Sequence, residues 1–206
     1  MDARLHPPCP RRAGHRRLSR RGLAVLAWLW GAALLLVAPA GTGTGESPEA
    51  IEYRVKAGYL FNFAKFVTWP ARTAPASDGP FWIGLLDAGE VLPIIQPVLD
   101  GKEVQGRPIR IRPVKPGTLG RDLHILLVTR RAQLTPEAVA AELGGSPTLV
   151  VGETDEFALR GGTIGFVREG DVIRFALNLE RAARSGLQVS AKLASVARLV
   201  KPPAEN

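Results

Sequence analysis

Reactive side chains are scarce in this sequence. Its 206 residues include one cysteine, Cys9, one methionine and three histidines. Cys9 precedes a long apolar run, so the chain after that run has no thiol and cannot form a disulfide. Only one of the histidines, His124, follows the run. Because a Gly-x-Ser-x-Gly sequence is also absent, the chain offers little to nucleophilic catalysis, and we expect it not to be an enzyme.

The excess of basic side chains is confined to the N-terminus. The whole chain has 27 basic and 19 acidic residues, a net charge of +8. Residues 1–40 hold seven arginines, no lysine and one acidic residue, so residues 41–206 keep 20 basic and 18 acidic side chains, a net charge of only +2. A body so close to neutral lacks the basic surface of a nucleic-acid-binding protein, and no nucleic-acid partner is predicted.

The first 40 residues have the form of a signal peptide. An arginine-rich segment precedes an apolar run from Leu23 to Ala38, and Ala38-Pro39-Ala40 places small residues where signal peptidase reads them. The sequence therefore predicts export to the periplasm, cleavage after Ala40 and a flexible spacer over 41–48. An uncleaved membrane anchor is the alternative, although the run is short for a full span. Arg20-Arg21 also resembles a twin-arginine export signal.

A long apolar helix is predicted from about Glu49 to Thr68, ending before Trp69-Pro70 because a proline disfavours helical geometry at the residue before it. Apolar side chains spread around most of its circumference, so we expect the helix to be covered on several sides. Four residues gather in one narrow polar strip: Arg54, Gly58, Asn62 and Lys65. The strip is either a solvated face or a place where Asn62 and Lys65 make buried hydrogen bonds.

Apolar strands alternate with helices in the rest of the chain. Strands are predicted at Phe81–Leu86, Ile109–Pro113, His124–Thr129, Thr148–Val151, Thr163–Val167 and Val172–Leu177, the last two as a hairpin. Helices are predicted at Glu90–Leu99, Thr135–Leu143, Asn178–Arg184 and from Ser190 onward, the last with Leu193, Val196, Ala197 and Val200 on one face. The pattern predicts an α/β fold: a single three-layer domain over 49–202, with a mixed, mostly parallel sheet of five to six strands flanked by helices.

Three polar features are candidates for a functional role. His124, at the start of an apolar strand, is either a base or ligand or, as we prefer, a histidine hydrogen-bonded to backbone. The run Glu153–Glu156 follows a buried strand and offers carboxylates to a hard cation, but capping a short helix through Leu159 is the preferred interpretation. Arg107, Arg110 and Arg112 either meet an acidic partner or protect an edge strand from pairing. No catalytic residue, metal site or cofactor is predicted.

A series of motifs is similar to one protein family. The first, over residues 55–70, is V-K-A-x-Y-L-x-N-F-A-K-F-V-x-W-P. The others follow in order: F-W-I-G-L-L, L-D-G-K-E-V-Q-G-R-P-I, D-L-H-I-L-L-V-T, R-G-G-T-I-G-F-V, F-A-L-N-L-E-R-A and G-L-Q-V-S-A-K-L-A-S-V-A-R-L-V. Together they resemble the YfiR-like family of bacterial periplasmic proteins over most of the mature chain.

The resemblance implies a periplasmic regulator that binds and represses a membrane signalling enzyme, above all an inner-membrane diguanylate cyclase, with effects on cyclic di-GMP and biofilm formation. It also implies a homodimer. The alternative is a periplasmic small-molecule sensor, or an accessory protein of a sensor kinase or outer-membrane receptor. The segment D-L-H-I-L-L-V-T resembles the strand in which the family often has a Cys-His pair. Here Asp122 stands before Leu123-His124 and the mature chain has no cysteine, so redox control through disulfides is not expected.

The family motifs also single out residues for a structural or interaction role. These are Asn62, Phe63, Lys65, Trp69, Pro70, Arg107, Gly161 and Gly162.

Overall fold

The computed structural model describes residues 46–71 and 79–201. The predicted signal peptide, its cleavage site, Cys9 and most of the spacer lie outside these residues. The first helix begins within the predicted spacer, at Pro48, because the Ser47 hydroxyl accepts a hydrogen bond from the amide of Ala50 at 3.1 Å. Proline suits this first helical position, where its missing N–H would have no partner in any case.

Helix α1 (Pro48–Phe66) packs one stripe of side chains against the central sheet. The buried stripe consists of Tyr53, Lys56, Ala57, Leu60, Phe63 and Ala64. The opposite stripe is exposed, and it includes Ile51 and Val55 as well as the whole predicted polar strip. The expectation of cover on several sides is therefore wrong for this outer face. Neither α1 nor any other helix in the described segments is long and apolar enough to cross a membrane.

Helix α1 ends earlier than predicted. Val67–Thr68 form a short strand, β1, which pairs antiparallel with β9 (Gln188–Val189). Val67 already has an extended backbone, with φ −110° and ψ 142°. Pairing with β9, rather than Pro70 alone, thus stops the helix at Phe66.

Eight strands form the central sheet. Their bounds are β2 Phe81–Leu86, β3 Glu103–Val104, β4 Arg107–Val114, β5 Ile125–Val128, β6 Leu149–Gly152, β7 Ile164–Glu169, β8 Val172–Leu177 and β10 Arg198–Leu199. The order across the sheet is β10-β8-β7-β6-β5-β2-β4-β3. Five of the seven neighbouring pairs are parallel; β3–β4 and the β7–β8 hairpin are antiparallel. The mixed, mostly parallel sheet is confirmed.

Helices cover both faces of this sheet. On one face lie α1, α2 (Leu92–Leu99), α5 (Leu179–Arg184) and α6 (Ala191–Ala194), and on the other α3 (Pro136–Leu143) and α4 (Asp155–Leu159). Two short 3₁₀ turns, Gly89–Val91 and Arg130–Ala132, complete the described elements. Each face has its own apolar cluster, the larger one beneath α1. The three-layer α/β architecture is confirmed.

Two details of the prediction are wrong. The sheet has eight strands rather than five to six, because β3 and β10 are two-residue strands too short to leave a pattern in the sequence. The final helix, predicted to continue past Val196 to Val200, is a single turn. The chain then pairs with β8, and the amide of Val200 donates to the carbonyl of Leu177 at 3.0 Å. Sheet pairing overrides the helical pattern there.

Candidate functional site

A buried ion pair joins α1 to the carboxyl end of the sheet. Glu153 follows β6, and one of its oxygens lies 2.5 Å from Nζ of Lys56 on α1; each side chain is 1% exposed. The other oxygen accepts hydrogen bonds from the Tyr53 hydroxyl at 3.2 Å and from the backbone amide of Arg130 at 2.6 Å. Both oxygens of this carboxylate therefore have donors, as burial of a charge requires.

Glu52 extends this cluster to the surface. Its carboxylate contacts Lys56 at 2.6 Å, Arg130 at 3.0 Å and Arg168 at 3.2 Å. Burial alone would raise the pKa of Glu52, but the hydrogen bond and charge of Lys56, with the two arginines, hold that pKa below its usual value. Burial and the charge of Glu153 raise the pKa of Tyr53, so the phenol stays a neutral donor.

The chemistry of this ion cluster is that of an anchor. Lys56 is buried between the carboxylates of Glu52 and Glu153, and both oxygens of Glu153 are bound within the chain, so neither group faces a substrate. Removing one partner would leave a buried charge without compensation, which is strongly destabilising. The cluster fixes the first half of α1 on the sheet.

The acidic run after β6 does not converge on one point. Glu153 turns to Lys56, whereas Asp155 lies 3.6 Å from Arg198. Thr154 is the N-cap residue of α4 by backbone geometry, although its side chain makes no capping bond; Asp155 instead accepts from the amide of Glu156 at 3.0 Å. In residues 46–71 and 79–201, no three His, Cys, Asp or Glu side chains are grouped as metal ligands would be. The short helix predicted after Glu153 is present.

A second buried polar cluster lies around His124, at the amino end of the central strand β5 and thus at the opposite end of the strands. Nδ1 of His124 accepts from the backbone amide of Trp82 at 3.1 Å, and Nε2 lies 3.0 Å from a guanidinium nitrogen of Arg107. The imidazole stacks on Phe81 with ring centroids 4.3 Å apart. The indole N–H of Trp69 donates to the carbonyl of His124 at 3.1 Å. His124 is therefore hydrogen-bonded to backbone at the start of its strand, which is the interpretation preferred from the sequence.

The electrostatics of this second cluster keep the imidazole neutral. Burial, followed by the charge of Arg107, lowers the pKa of His124 to about 4. Arg107 is itself oriented by the carbonyls of Gly79 at 2.6 Å and Pro80 at 2.9 Å. Both ring nitrogens are engaged inside the protein, so His124 is not available to a substrate as a base.

The other predicted residues fall into three places. Phe63 lies in the core beneath α1, whereas Asn62 and Lys65 are exposed on its outer face. Gly161 has φ +101°, which strains any other residue, and a side chain at Gly162 would lie 2.3 Å from the Phe157 ring. These two glycines therefore shape the turn into β7. Trp69 and Arg107 both contact His124, so these two members of the predicted set come together at one place. Pro70 directly follows Trp69.

Two further arginines of β4 have partners within the chain. Arg110 lies 3.2 Å from a carboxylate oxygen of Asp100. Arg112 holds Asp122 with two guanidinium nitrogens and lies 5.1 Å from the centre of the Trp82 ring. The hydrogen bond from Arg112 lowers the pKa of Asp122. Arg110 and Arg112 are thus paired with carboxylates of this chain.

A shallow groove of about 220 Å³ adjoins the ion cluster on the surface. It lies between the first half of α1 and the β7–β8 hairpin. Its lining is mostly apolar, with charged groups at the rim: Pro48, Ile51, Glu52, Val55, Arg168, Asp171 and Ile173. The groove and the exposed stripe of α1 share Ile51 and Val55, so they form one continuous surface.

Sequence reasoning missed Lys56, which was assigned neither to the core nor to the polar strip. Its signal was present, because Lys56 lies on the face of α1 that also carries Tyr53, Leu60 and Phe63. A lysine on such a face needs a buried carboxylate. Glu153, directly after the apolar strand β6, is that carboxylate.

Comparison with protein families shows to which group this fold belongs. The model of the YfiR/HmsC-like family, DUF4154, matches residues 53–198. The chain belongs to the YfiR/HmsC-like family. The match runs from Tyr53 in α1 to Arg198 in β10, so both polar clusters lie within the YfiR/HmsC-like region.

One solved structure has a fold similar to that of this chain. The chain is similar to a conserved domain protein from Vibrio cholerae O1 biovar El Tor strain N16961, with a TM-score of 0.50, 9% identity and 70% of this chain covered. At this identity the likeness concerns the fold alone. The chain spans 60% of the length of that protein. No match was found among curated proteins.

Proposed function

We propose that this protein is a non-catalytic periplasmic regulator that binds and represses a membrane-bound signalling enzyme, a diguanylate cyclase. The observation that carries the proposal is membership of the YfiR/HmsC-like family over residues 53–198. The family is periplasmic and regulatory rather than catalytic. The arginine-rich N-terminus, the apolar run Leu23–Ala38 and the small residues before Gly41 support export.

The geometry of the described residues is compatible with action by contact. The most deeply buried ionisable groups, Lys56, Glu153 and His124, have their polar atoms engaged within the chain. A protein that acts by contact regulates an enzyme by binding one of its states more tightly than the other. A tenfold preference corresponds to about 1.4 kcal/mol, which a few buried side chains at an interface supply.

Deletion of the gene tests this function. We expect cellular cyclic di-GMP to rise in the deletion strain and to return to the starting level when the full chain is supplied again. A matched control is the chain without residues 1–40, which lacks the export segment and should fail to restore repression. Unchanged cyclic di-GMP on deletion, or repression by the version without residues 1–40, would contradict the proposal.

Small-molecule sensing is the second candidate, favoured by the groove between α1 and the β7–β8 hairpin. Its volume of about 220 Å³ is below the range of roughly 300–1,000 Å³ for drug-sized ligand sites. A ligand there would be small, with an apolar body beside Ile51 and Ile173 and a polar end at Arg168 or Asp171. A thermal-melt screen with small aromatic metabolites tests this: a saturable rise in Tm that Ile173→Asp abolishes supports a receptor.

A further inference from the structure

The outer face of α1 has the residue spacing of a helix–helix contact. Five exposed residues lie on it at alternating intervals of four and three: Ile51, Val55, Gly58, Asn62 and Lys65. Ile51 is 52% exposed and Val55 44% exposed. Alternation of three and four places side chains along a seam that faces a neighbouring helix throughout its length. Within the described residues nothing covers this seam.

Gly58, at the middle of the seam, faces open space, so no contact within the described residues requires a glycine there. A Cβ built on Gly58 meets no atom within 4 Å, and the residue lies in the interior of a 19-residue helix. Glycine is, after proline, the least favourable residue in a helix interior. Its benefit there is a close approach by another backbone, because no side chain keeps a second helix away. An exposed glycine at this position therefore fits a helix crossing at Gly58.

The second half of the seam is positively charged. Nζ of Lys65 and Nζ of Lys102 lie 5.4 and 5.3 Å from the centre of the Phe61 ring, and Nζ of Lys192 lies 5.3 Å from that of Phe66. None of these three lysines is within 4 Å of a carboxylate in the parts of the chain that the structure describes. The partner that complements this half carries carboxylates.

The first half of the seam is apolar and ends in the groove. Ile51 and Val55 belong to the seam and line the groove together with Pro48 and Ile173. Between Ile51 and Phe66 the only acidic residue is Glu52, which is 11% exposed and bound by Lys56. In a parallel self-contact the lysines of two copies would oppose each other, and in an antiparallel one Lys65 would lie against Ile51 and Val55, so neither arrangement pairs the lysines with carboxylates of the seam.

We propose that the outer face of α1 is the docking seam for one amphipathic helix of a partner protein. Small or apolar residues of that helix lie against Val55 and Gly58, an apolar side chain enters the groove, and carboxylates approach Lys65, Lys102 and Lys192. The inference rests on the proposed function only in identifying the partner with the regulated membrane enzyme; the geometry of the seam stands by itself.

Photo-crosslinking in living cells tests the seam. Benzoylphenylalanine is placed at position 55 or 62 of the full chain, with position 184 on α5 as the exposed control, and the adducts are mapped by mass spectrometry. Positions 55 and 62 are two helical turns apart, so we expect both to label one partner helix, at sites about seven residues apart. Adducts in a loop or strand, adducts with a second copy, no adduct at either position, or equal labelling from position 184 would overturn the proposal.

Substitution at Gly58 separates docking from folding. Gly58→Leu should reduce recovery of the crosslinked partner at least tenfold while Tm stays equal or rises, because leucine is the better helix former. Gly58→Ala, with its small side chain, should retain most binding. Lys65→Glu with Lys102→Glu should also weaken recovery, whereas Lys115→Glu, an exposed lysine away from α1, should not. Gly58→Leu that binds as well as the wild type would refute the seam.

The outcomes for function and seam are distinguishable. If the labelled helix belongs to a protein other than a signalling enzyme, the seam is supported and the proposed function is not. If deletion raises cyclic di-GMP but the adducts map away from any helix, the proposed function stands and the seam is overturned.

Discussion

The two buried polar clusters of this protein solve the same problem in opposite ways. At the carboxyl ends of the strands, Lys56 and Glu153 are both charged and compensate each other at 2.5 Å. At the amino ends of the strands, His124 lies beside the cation Arg107 and remains neutral, with its pKa lowered to about 4. A buried ion pair is destabilised when one partner is removed, because the other charge is left without compensation. A buried neutral imidazole is destabilised when the pH falls far enough to protonate it. The two clusters should therefore fail under different conditions.

The largest loss of stability is expected from removing one partner of the Lys56–Glu153 ion pair. Lys56→Met leaves the carboxylate of Glu153 buried without a cation, and the free energy of unfolding should fall by about 3–5 kcal/mol. Urea denaturation of the mature protein measures this loss. The matched control is the double variant Lys56→Met with Glu153→Gln, which removes both charges and should be much less destabilised. Equal destabilisation of the single and double variants would show that the pair does not act as a unit.

Acid should destabilise the protein through the second cluster, the one around His124. The pKa of His124 is about 4 in the folded protein, below the ordinary value of 6.5. The unfolded chain therefore binds the proton first as the pH falls, and stability is lost between about pH 6.5 and pH 4, with a slope approaching about 1.4 kcal/mol per pH unit. Above this window the contribution is constant. The pKa of Glu52 and that of Asp122 are also lowered, from ordinary values of 4.5 and 3.8, so their losses begin near the acid end of this window and continue below it.

The measurement for this window is a series of urea denaturations from pH 7.5 to pH 4. His124→Phe is the control, because it has no proton to bind and should lose the slope between pH 6.5 and pH 4. An identical slope in that variant would assign the acid sensitivity to other groups.

A smaller effect is expected from His124→Phe at neutral pH. Phenylalanine keeps the stacking on Phe81 but leaves the backbone amide of Trp82 without its acceptor. The cost of such an unsatisfied buried donor is about 1–3 kcal/mol. The midpoint of urea unfolding at pH 7.5 measures it. No change in that midpoint would mean that the hydrogen bond between His124 and Trp82 contributes nothing.

The smallest effect is expected from Tyr53→Phe. This change removes one donor from Glu153 but leaves Lys56 and the amide of Arg130 in place. The loss should be about 0.5–1.5 kcal/mol, as for a typical hydrogen bond. If Tyr53→Phe cost as much as Lys56→Met, the hydroxyl rather than the ammonium would be the main partner of Glu153.

Much of the fold could be predicted from the sequence because local patterns and packing agree there. The apolar strands β2, β5 and β6 lie within one or two residues of their predicted bounds, since fully buried parallel strands form continuous apolar runs. The segment after Ser190 could not be predicted in this way. Its residues fit a helix face locally, but the sheet edge at Leu177 binds them as a strand.

The candidate site was less predictable because its contacts join residues that lie far apart in the sequence. Trp69 and Arg107 were singled out, yet nothing in their spacing shows that His124 joins them. The ion cluster depends on two residues 97 positions apart, Lys56 and Glu153, and no periodicity relates such positions. Val55 was expected to be covered because it is apolar, but whether a partner covers it is decided outside the chain.

The distance along the chain between α1 and some of its partners decides when those contacts can form. Lys56 bonds to a residue 97 positions later, Tyr59 to the carbonyl of Ile173, 114 positions later, and β1 pairs with β9. A nascent chain ending at Gly145 holds none of these three partners, although the α2 helix and strands β2, β4 and β5, which share the apolar cluster beneath α1, are already present. The polar anchors of α1 are thus non-local contacts, which form late because a long loop must close first.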